Sequence, residues 1–475
     1  MAVSSVTPNT WFRVEQVREV SDALGDPEPV RRQREEAFAA YQKLPAELNP
    51  LYRKYAYFAG VDLGGLEPAL TGSPVRMPPV HPGEILLVHD ASGTRVHLPD
   101  ELRKGGITVR TLPELLRGGD ADSRDFFDAP YLRSEKFQSL NAALVNRAVY
   151  LRVPDRFPTP VRVQDISILS KPAEGLVVRR FLRPGQNTKL LYSEEVYSTG
   201  PSPRQRLYSS SVDILPADDT DTVYLTVHAP DGAAVSFFNR RTTTARNAKV
   251  GWIWAGFDGF RTISRNESVI GAPGGEVEDL QTIYGDQDQA FNSYVEITHA
   301  GDDTKGQSIT RGVFKDRARG TSRGMMRIQP QTRKVVSYLS EHAMLLSKGA
   351  RSESVPGLEI LSSQDVKATH SSSVAPIDPE RVFYLESRGI PAPEATRMIT
   401  EGFLAHVLDR APVEGLREVL YPPLDLRWNG SSVTWSAEGA LPSLPPLRIA
   451  GWGTMGDWRM DTKLRDAAGR SQPSP

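Results

Sequence analysis

Val223-Tyr-Leu-Thr-Val227, Ala234-Val-Ser-Phe-Phe238 and Val250-Gly-Trp-Ile-Trp254 are three short apolar runs separated by turn residues, and their reading decides the fold class. Runs of this length, recurring about every 8 to 12 residues, are too short and too closely spaced for helices. The same texture extends from Ala148 to about Ser373, through Val149-Tyr-Leu-Arg-Val153, Val335-Val-Ser-Tyr-Leu339, Ala343-Met-Leu-Leu346 and Leu358-Glu-Ile-Leu361. It predicts a mainly β core, built as a sandwich, barrel or solenoid. In a solenoid no single coil buries its inner face alone, so stacked neighbours create one elongated core. No fixed-period repeat is visible, and periodicity leaves the three architectures open.

The flanks read differently. Residues 28–43 are strong helix formers with Val30, Ala37 and Phe38 or Tyr41 at helical spacing, and Ser134 to Val145 place Phe137, Leu140, Ala143 and Leu144 on one face. A short helical piece begins at Leu112-Pro113. At Asp378-Pro379 the chain turns helical again, with Asp378 as N-cap and Pro379 in the first helical position. Gly389 ends that helix, and Pro393 opens a second one to about Arg410 with an apolar stripe of Ala395, Met398, Ile399, Phe403 and His406 or Val407. Four segments follow: a mainly helical region over 1–147, the β core over 148–375, a helical hairpin suited to docking over 376–425, and a Pro- and Trp-rich tail over 426–475. The tail reads first as flexible with sparse aromatic anchors, and second as a small annex packed on the body.

Composition removes several functions. The chain has 475 residues, 39% of them hydrophobic, with 57 basic against 58 acidic side chains, so no global field draws nucleic acid or an anionic membrane. No window approaches the roughly 18 apolar residues of a membrane span, and Met1-Ala-Val-Ser-Ser lacks the pattern of an export signal. A cytoplasmic location is expected. With no cysteine, disulfides, thiol nucleophiles and cysteine-ligated clusters held by this chain alone are excluded.

Eight histidines remain as soft donors, at 81, 89, 97, 228, 299, 342, 370 and 406, none paired at zinc-ligand spacing. His370 stands out because it follows the last strand-like run before the hairpin. His299, ahead of Asp302 and Asp303, reads as a turn residue. Arg311-Gly-Val-Phe-Lys-Asp-Arg-Ala-Arg-Gly320 lacks a phosphate-loop pattern, and its basic side chains are expected on a solvent face with Val313 and Phe314 inward. No Gly-x-Ser-x-Gly elbow exists. Glu276 and Glu278 leave open a polysaccharide lyase or hydrolase on a β-solenoid, although acidic residues two apart on a strand more commonly face solvent.

Gly312-Val-Phe-Lys-Asp-Arg-Ala-Arg-Gly320, Ala343-Met-Leu-Leu-Ser-Lys-Gly-Ala-Arg351, Pro356-Gly-Leu-Glu-Ile360, Val366-Lys-Ala-Thr-His370, Asp378 and Phe383-Tyr384-Leu-Glu-Ser-Arg-Gly-Ile390 together resemble the SufB/SufD family of iron–sulfur cluster assembly proteins. The resemblance covers roughly residues 130 to 410. It implies a right-handed parallel β-helix flanked by helical regions, partnered by a second SufB/SufD-type chain and by the ABC-type ATPase SufC. SufC would dock on the hairpin, at Phe383, Tyr384, Arg388, Gly389, Ile390 and Phe403, and ATP hydrolysis would belong to it. SufB-type chains carry a cysteine where this chain has Ser352 and a glutamate where it has Ser371, so the resemblance is to the SufD-like member. His370 matches the SufD histidine proposed to face the cluster site, while Ala368 replaces the family's usual cysteine. The implied roles of His370 are ligation of iron in a nascent cluster or capping of the last coil. No cofactor is expected to bind tightly to this chain alone, and no catalytic residue is expected. Two rivals stand beside the heterodimeric, non-enzymatic subunit: a homodimer of this chain acting as its own scaffold, and the carbohydrate-cleaving solenoid.

Overall fold

The computed structural model describes residues 8–55, 57–128, 134–435 and 447–449. Successive strands from Arg147–Val153 onward fall alternately into two sheets. The first holds Arg147–Val153, Glu174–Pro184, Arg206–Ile214, Ala234–Thr244, Arg261–Ile270, Ala290–His299, Arg319–Ile328 and Arg351–Ile360. The second holds Val161–Leu169, Lys189–Ser198, Asp221–His228, Lys249–Gly256, Glu276–Gly285, Lys305–Phe314, Val335–Leu345 and Val366–Pro376. Each pairs in parallel with the strand two ahead of it, which makes a β-solenoid of about eight turns and excludes sandwich and barrel.

The β structure begins upstream of the core-like texture. Glu84–Asp90, buried throughout, pairs in parallel with Val161–Leu169, and Gly93–His97 returns antiparallel to it. Thr108–Thr111 closes the first sheet antiparallel to Arg147–Val153.

The turns explain both the stacking and the missing repeat. Asn187, Asp219, Asn247, Gly274, Asp303, Lys334 and Asp365 all have positive φ. Asn, Asp and Gly tolerate that left-handed conformation best. They form one corner column: the amides of Asp219, Asn247 and Gly274 donate to the carbonyls of Arg246, Pro273 and Asp302 in the next coil, at 2.9, 3.0 and 3.1 Å. Coil length nevertheless varies. Val235 pairs with Arg261, 26 residues on, Glu276 with Lys305, 29 on, and Lys305 with Val336, 31 on, so no constant period reaches the sequence.

Helices α1 (Val14–Leu24), α2 (Glu28–Lys43), α3 (Asp100–Lys104), α4 (Leu112–Gly118), α5 (Ala121–Phe127), α6 (Lys136–Leu144), α7 (Pro379–Glu386), α8 (Ala392–Leu408) and α9 (Leu416–Trp428) complete the chain. α1, α2 and α6 cover the outer face of the first sheet, where Phe38, Tyr41, Phe137 and Leu140 pack on Val177, Leu207, Val235 and Phe237. α8 and α9 cover the second, with Leu404, Val407, Leu416 and Leu420 on Leu225, Ile253, Leu280 and Ile309. The solenoid lumen is a separate core, containing Tyr192, Tyr224 and Trp252 in consecutive coils.

Two expectations are corrected here. Arg311 is 4% exposed, under α8 with its guanidinium 5.6 Å from the Phe403 ring, because a helix layer covers what reads as a solvent face. Val313 packs outward in that layer and Phe314 inward, since adjacent strand residues alternate. α9 is also absent from the sequence reading, because Pro422 and Pro423 lie inside it. Its buried stripe of Leu416, Val419, Leu420 and Leu424 offsets a penalty of about 3 kcal/mol for a proline inside a helix, met here twice.

Part of the tail is an annex and not a flexible segment. Thr434 bridges to Ser198, and Trp435 stacks on Tyr197 at 6.0 Å. Trp452 and Trp458 lie outside the described residues. α9 is clamped by buried Arg427, which donates to Asp258 at 3.2 Å and pairs with Asp286. Arg427→Ala strands both carboxylates, and a stability loss of about 3 kcal/mol is expected. Chemical denaturation, with proteolysis reporting release of α9, checks it; an unchanged midpoint would refute the clamp.

Candidate functional site

The candidate site is the open end of the solenoid. Arg351–Ile360 and Val366–Pro376 each pair on one side only, with Arg319–Ile328 and Val335–Leu345 respectively. No further strand covers them among the described residues. Three apolar side chains are left facing solvent there, Ile360, Leu361 and Val374 at 45, 56 and 39% exposure.

His370 lies in this last coil. It pairs directly with Leu339, a lumen residue with no exposure, and directly paired residues of neighbouring strands share a face. His370 therefore stands on the lumen side, exposed because no coil follows. At the same end, though not lined by His370 itself, is an open cavity of about 300 Å³ lined by Phe314, Ser322, Glu341, Ser352 and Ser354. Burial pushes the Glu341 carboxyl up, partly opposed by hydrogen bonds from Ser354 and Ser322. Ser352 is thus on the lumen side with His370, and Ala368, two residues before His370, shares its face. Ser371 is turned the other way. Its hydroxyl meets His342 Nε2 at 3.2 Å and the Tyr338 hydroxyl at 3.3 Å, and His342 Nδ1 meets Ser373 at 2.5 Å. Neither this outer network nor Glu341 was legible in the sequence, because both depend on register.

The remaining histidines have structural partners or stand apart. His299 is buried, bonded to Thr304 at 2.8 Å and Ser337 at 3.2 Å, and burial lowers its pKa to about 4. It is a neutral core residue at a strand end. His228, bonded to Ser236 at 2.8 Å, is likewise pushed down to about 3, by burial and then by Arg240. Among the described residues no group of three or more His, Asp or Glu side chains could hold a metal ion. His370 alone supplies one nitrogen donor.

The hairpin follows directly. Asp378 caps α7 by accepting from the Glu380 amide at 2.9 Å, and Pro379 occupies the first turn. Gly389, at φ 88°, makes the left-handed turn into α8. Phe383 and Tyr384 are 70 and 56% exposed, and the Arg388 guanidinium lies 4.6 Å from the Tyr384 ring. Met398, on α8, adds a third exposed apolar side chain. Phe403 is placed differently, half-buried against Arg311 where α8 rests on the second sheet.

Glu276 and Glu278 do not form an open acidic groove. Both are buried, Glu276 bonded to Lys305 at 3.0 Å and Glu278 accepting from Gln307, with burial raising Glu278 to about 7.

A parallel solenoid with an uncovered terminal coil and a solvent-facing hairpin can be compared with known proteins. Residues 168–403 match the family model for the SUF system FeS cluster assembly, SufBD core domain. The chain belongs to the SufB/SufD family. The match runs from the end of Val161–Leu169 through the rest of the solenoid and α7 into α8. The chain is 27% identical over 334 residues to the iron–sulfur cluster assembly protein SufD of Bacillus subtilis (strain 168), covering 70% of this chain and 76% of that one. It is 21% identical over 323 residues to an iron–sulfur cluster assembly SufBD family protein of Staphylococcus epidermidis (strain ATCC 12228), covering 67% and 68%. The chain is a SufD homologue and an iron–sulfur cluster assembly protein of this family. No helix among the described residues is long and apolar enough to cross a membrane.

Proposed function

We propose that this chain is a non-enzymatic, SufD-like subunit of a cytoplasmic assembly complex, joined at its open solenoid end to a SufB-type chain and at the α7–α8 hairpin to the SufC ATPase. The observation that carries the reading is the uncovered last coil. Two strands with unpaired backbone edges and three exposed apolar side chains are an aggregation hazard unless a partner covers them. A second chain seated there would close the lumen over His370 and bring its own donors to the imidazole. The nascent cluster is cargo at that junction, and His370 contributes one ligand. Phe383, Tyr384, Arg388, Gly389 and Ile390 form the docking face, with Phe403 seating the hairpin on the solenoid. ATP-driven movement of SufC then reaches the junction through a rigid hairpin.

Copurification with SufB- and SufC-type chains tests the partnership. His370→Ala is expected to leave the complex intact while iron retained on anaerobic reconstitution falls about tenfold. Unchanged iron content would leave the imidazole only the role of capping the coil. The homodimeric scaffold is distinguished by the same reconstitution on this chain alone, which the heterodimer reading expects to stay nearly colourless. Buried Glu276 and Glu278 disfavour the carbohydrate-cleaving alternative.

A further inference from the structure

On the outer face of the first sheet, reaching as far as the terminal strand Arg351–Ile360, is a second cavity whose chemistry the assembly role does not use. It is open, about 610 Å³, and lies between Lys54, Tyr55 and Tyr57 and the starts of four strands that are neighbours in the sheet. Arg261 pairs with Ala290, Ala290 with Arg319, and Arg319 with Arg351, so these residues form one column. Parallel strands lie about 4.8 Å apart, which puts Arg319 and Arg351 side by side. Ala290 leaves a gap between Arg319 and Arg261. Like charges directly opposite one another destabilise a sheet unless something answers them.

Among the described residues the answer is partial, since Asp288 acts electrostatically on Arg261 and Arg319 and Glu353 lines the same cavity. Arg261 is 5% exposed, and its donors go to main-chain oxygens, to Ala59 at 2.9 and 3.2 Å, to Phe260 at 2.9 Å and to Asp288 at 2.5 Å. Its guanidinium stacks 3.7 Å from the Phe260 ring and 5.0 Å from Tyr57. Arg319 lies 4.8 Å from the same Tyr57 ring, and neither Arg319 nor Arg351 forms an ion pair among the described residues. Lys54 adds a fourth cation, with Glu353 as its acidic neighbour. The nearby Asp288 carboxylate is taken by both arms of Arg317, at 2.7 and 2.6 Å. The roof is held by Asn292, which donates to the Tyr55 carbonyl at 2.6 Å.

We propose that this cavity binds a small anion of the diphosphate class. Guanidinium forks match phosphate oxygens, and two of them one strand apart suit two adjoining phosphoryl groups better than one. Arg261 is held by carbonyls and Arg319 lies against the Tyr57 ring, which lowers part of the ordering cost of binding. The inference is independent of the assembly role.

Calorimetric titration of the full chain at constant ionic strength tests it, with inorganic pyrophosphate, ADP and orthophosphate as probes. One saturable site for pyrophosphate is expected, with orthophosphate about tenfold weaker. ADP binding as tightly as pyrophosphate assigns recognition to the diphosphate, and tighter binding assigns it to a nucleotide. The double variant Arg319→Ala, Arg351→Ala is expected to lose about tenfold or more, whereas Arg246→Ala, at a distant corner, keeps wild-type affinity. Ala290→Glu fills the gap with a carboxylate and should abolish binding in a chain that keeps its melting temperature, which decides the matter should the double variant not fold. Absence of saturable binding, or wild-type affinity in both the double variant and Ala290→Glu, would overturn the site.

Discussion

Replacing Arg180 with methionine is expected to lower the stability of this chain by about 3 to 5 kcal/mol, and to add a gain of stability in mild acid that the wild type does not draw from this group. Arg180 has no exposure and sits inside the lumen near the N-terminal end of the solenoid. Its guanidinium holds Asp165 through two bonds of 2.7 and 2.9 Å and Glu194 through one of 2.9 Å. Glu194 also accepts from the hydroxyls of Tyr208, Tyr224 and Thr226 at 2.7, 3.1 and 3.1 Å, so one cation organises side chains from several coils. Removing it leaves two carboxylates in a dry core. Burial alone would raise the Asp165 pKa, but Arg180 and then His89, 3.1 Å away, hold it well below the usual carboxylate range. A depressed folded pKa means stability that is present above the unfolded value of about 3.9 and is lost as pH falls through the folded value. Without Arg180 the burial effect prevails and the folded pKa rises above the unfolded one, so protonation becomes stabilising. Denaturant melts should then show the variant gaining stability between about pH 7 and pH 5, where the wild type gains none from this group. A variant that loses stability on acidification, or one within 1 kcal/mol of wild type at neutral pH, would sink this account of the lumen.

The second large effect is expected at the hairpin. Phe383→Asp with Tyr384→Asp should abolish copurification with the SufC-type ATPase, a loss of roughly a thousandfold in affinity if each ring supplies about 2 kcal/mol. Both rings are more than half exposed, so folding loses little when they go. α7 keeps its Asp378 cap and its proline start in the variant. The Arg388 guanidinium loses the Tyr384 ring it lies against, which further disorders the docking face. Binding to a SufB-type chain, on a different surface, should persist and serves as the internal control. Full retention of ATPase binding by the double variant, with circular dichroism unchanged, would remove the hairpin from the docking role.

How much was legible varies by element, for identifiable reasons. α2, α6 and α7 announce themselves through helical spacing or a cap, and their bounds agree within a few residues with those read from residues 28–43, 134–145 and 378–389. α8, expected from Pro393 to about Arg410, runs Ala392–Leu408. α9 was hidden by its two prolines, whose cost is overridden by packing on the second sheet. The strand Glu84–Asp90 was hidden by being buried on both faces, which erases alternation and leaves a short apolar run. His370 could be singled out by its place in the chain. Its lumen side, its register with Leu339 and the neighbouring Glu341 could not.

The residues alone settled the class of structure, the hairpin and its capping, and the family, because these rest on local composition, spacing and ordered motifs along one dimension. Three-dimensional pairing decided which of two faces each strand residue takes: Arg311 under a helix, Phe314 in the lumen, His370 at an open mouth, and Arg261, Arg319 and Arg351 in one column. The physical reason is that side chains alternate with a period of two while coil length drifts from 26 to 32 residues, as between Val235 and Arg261 and between Arg319 and Arg351. A shift of a single residue in any turn would exchange inside for outside, and only the stacked coils record where each turn closes.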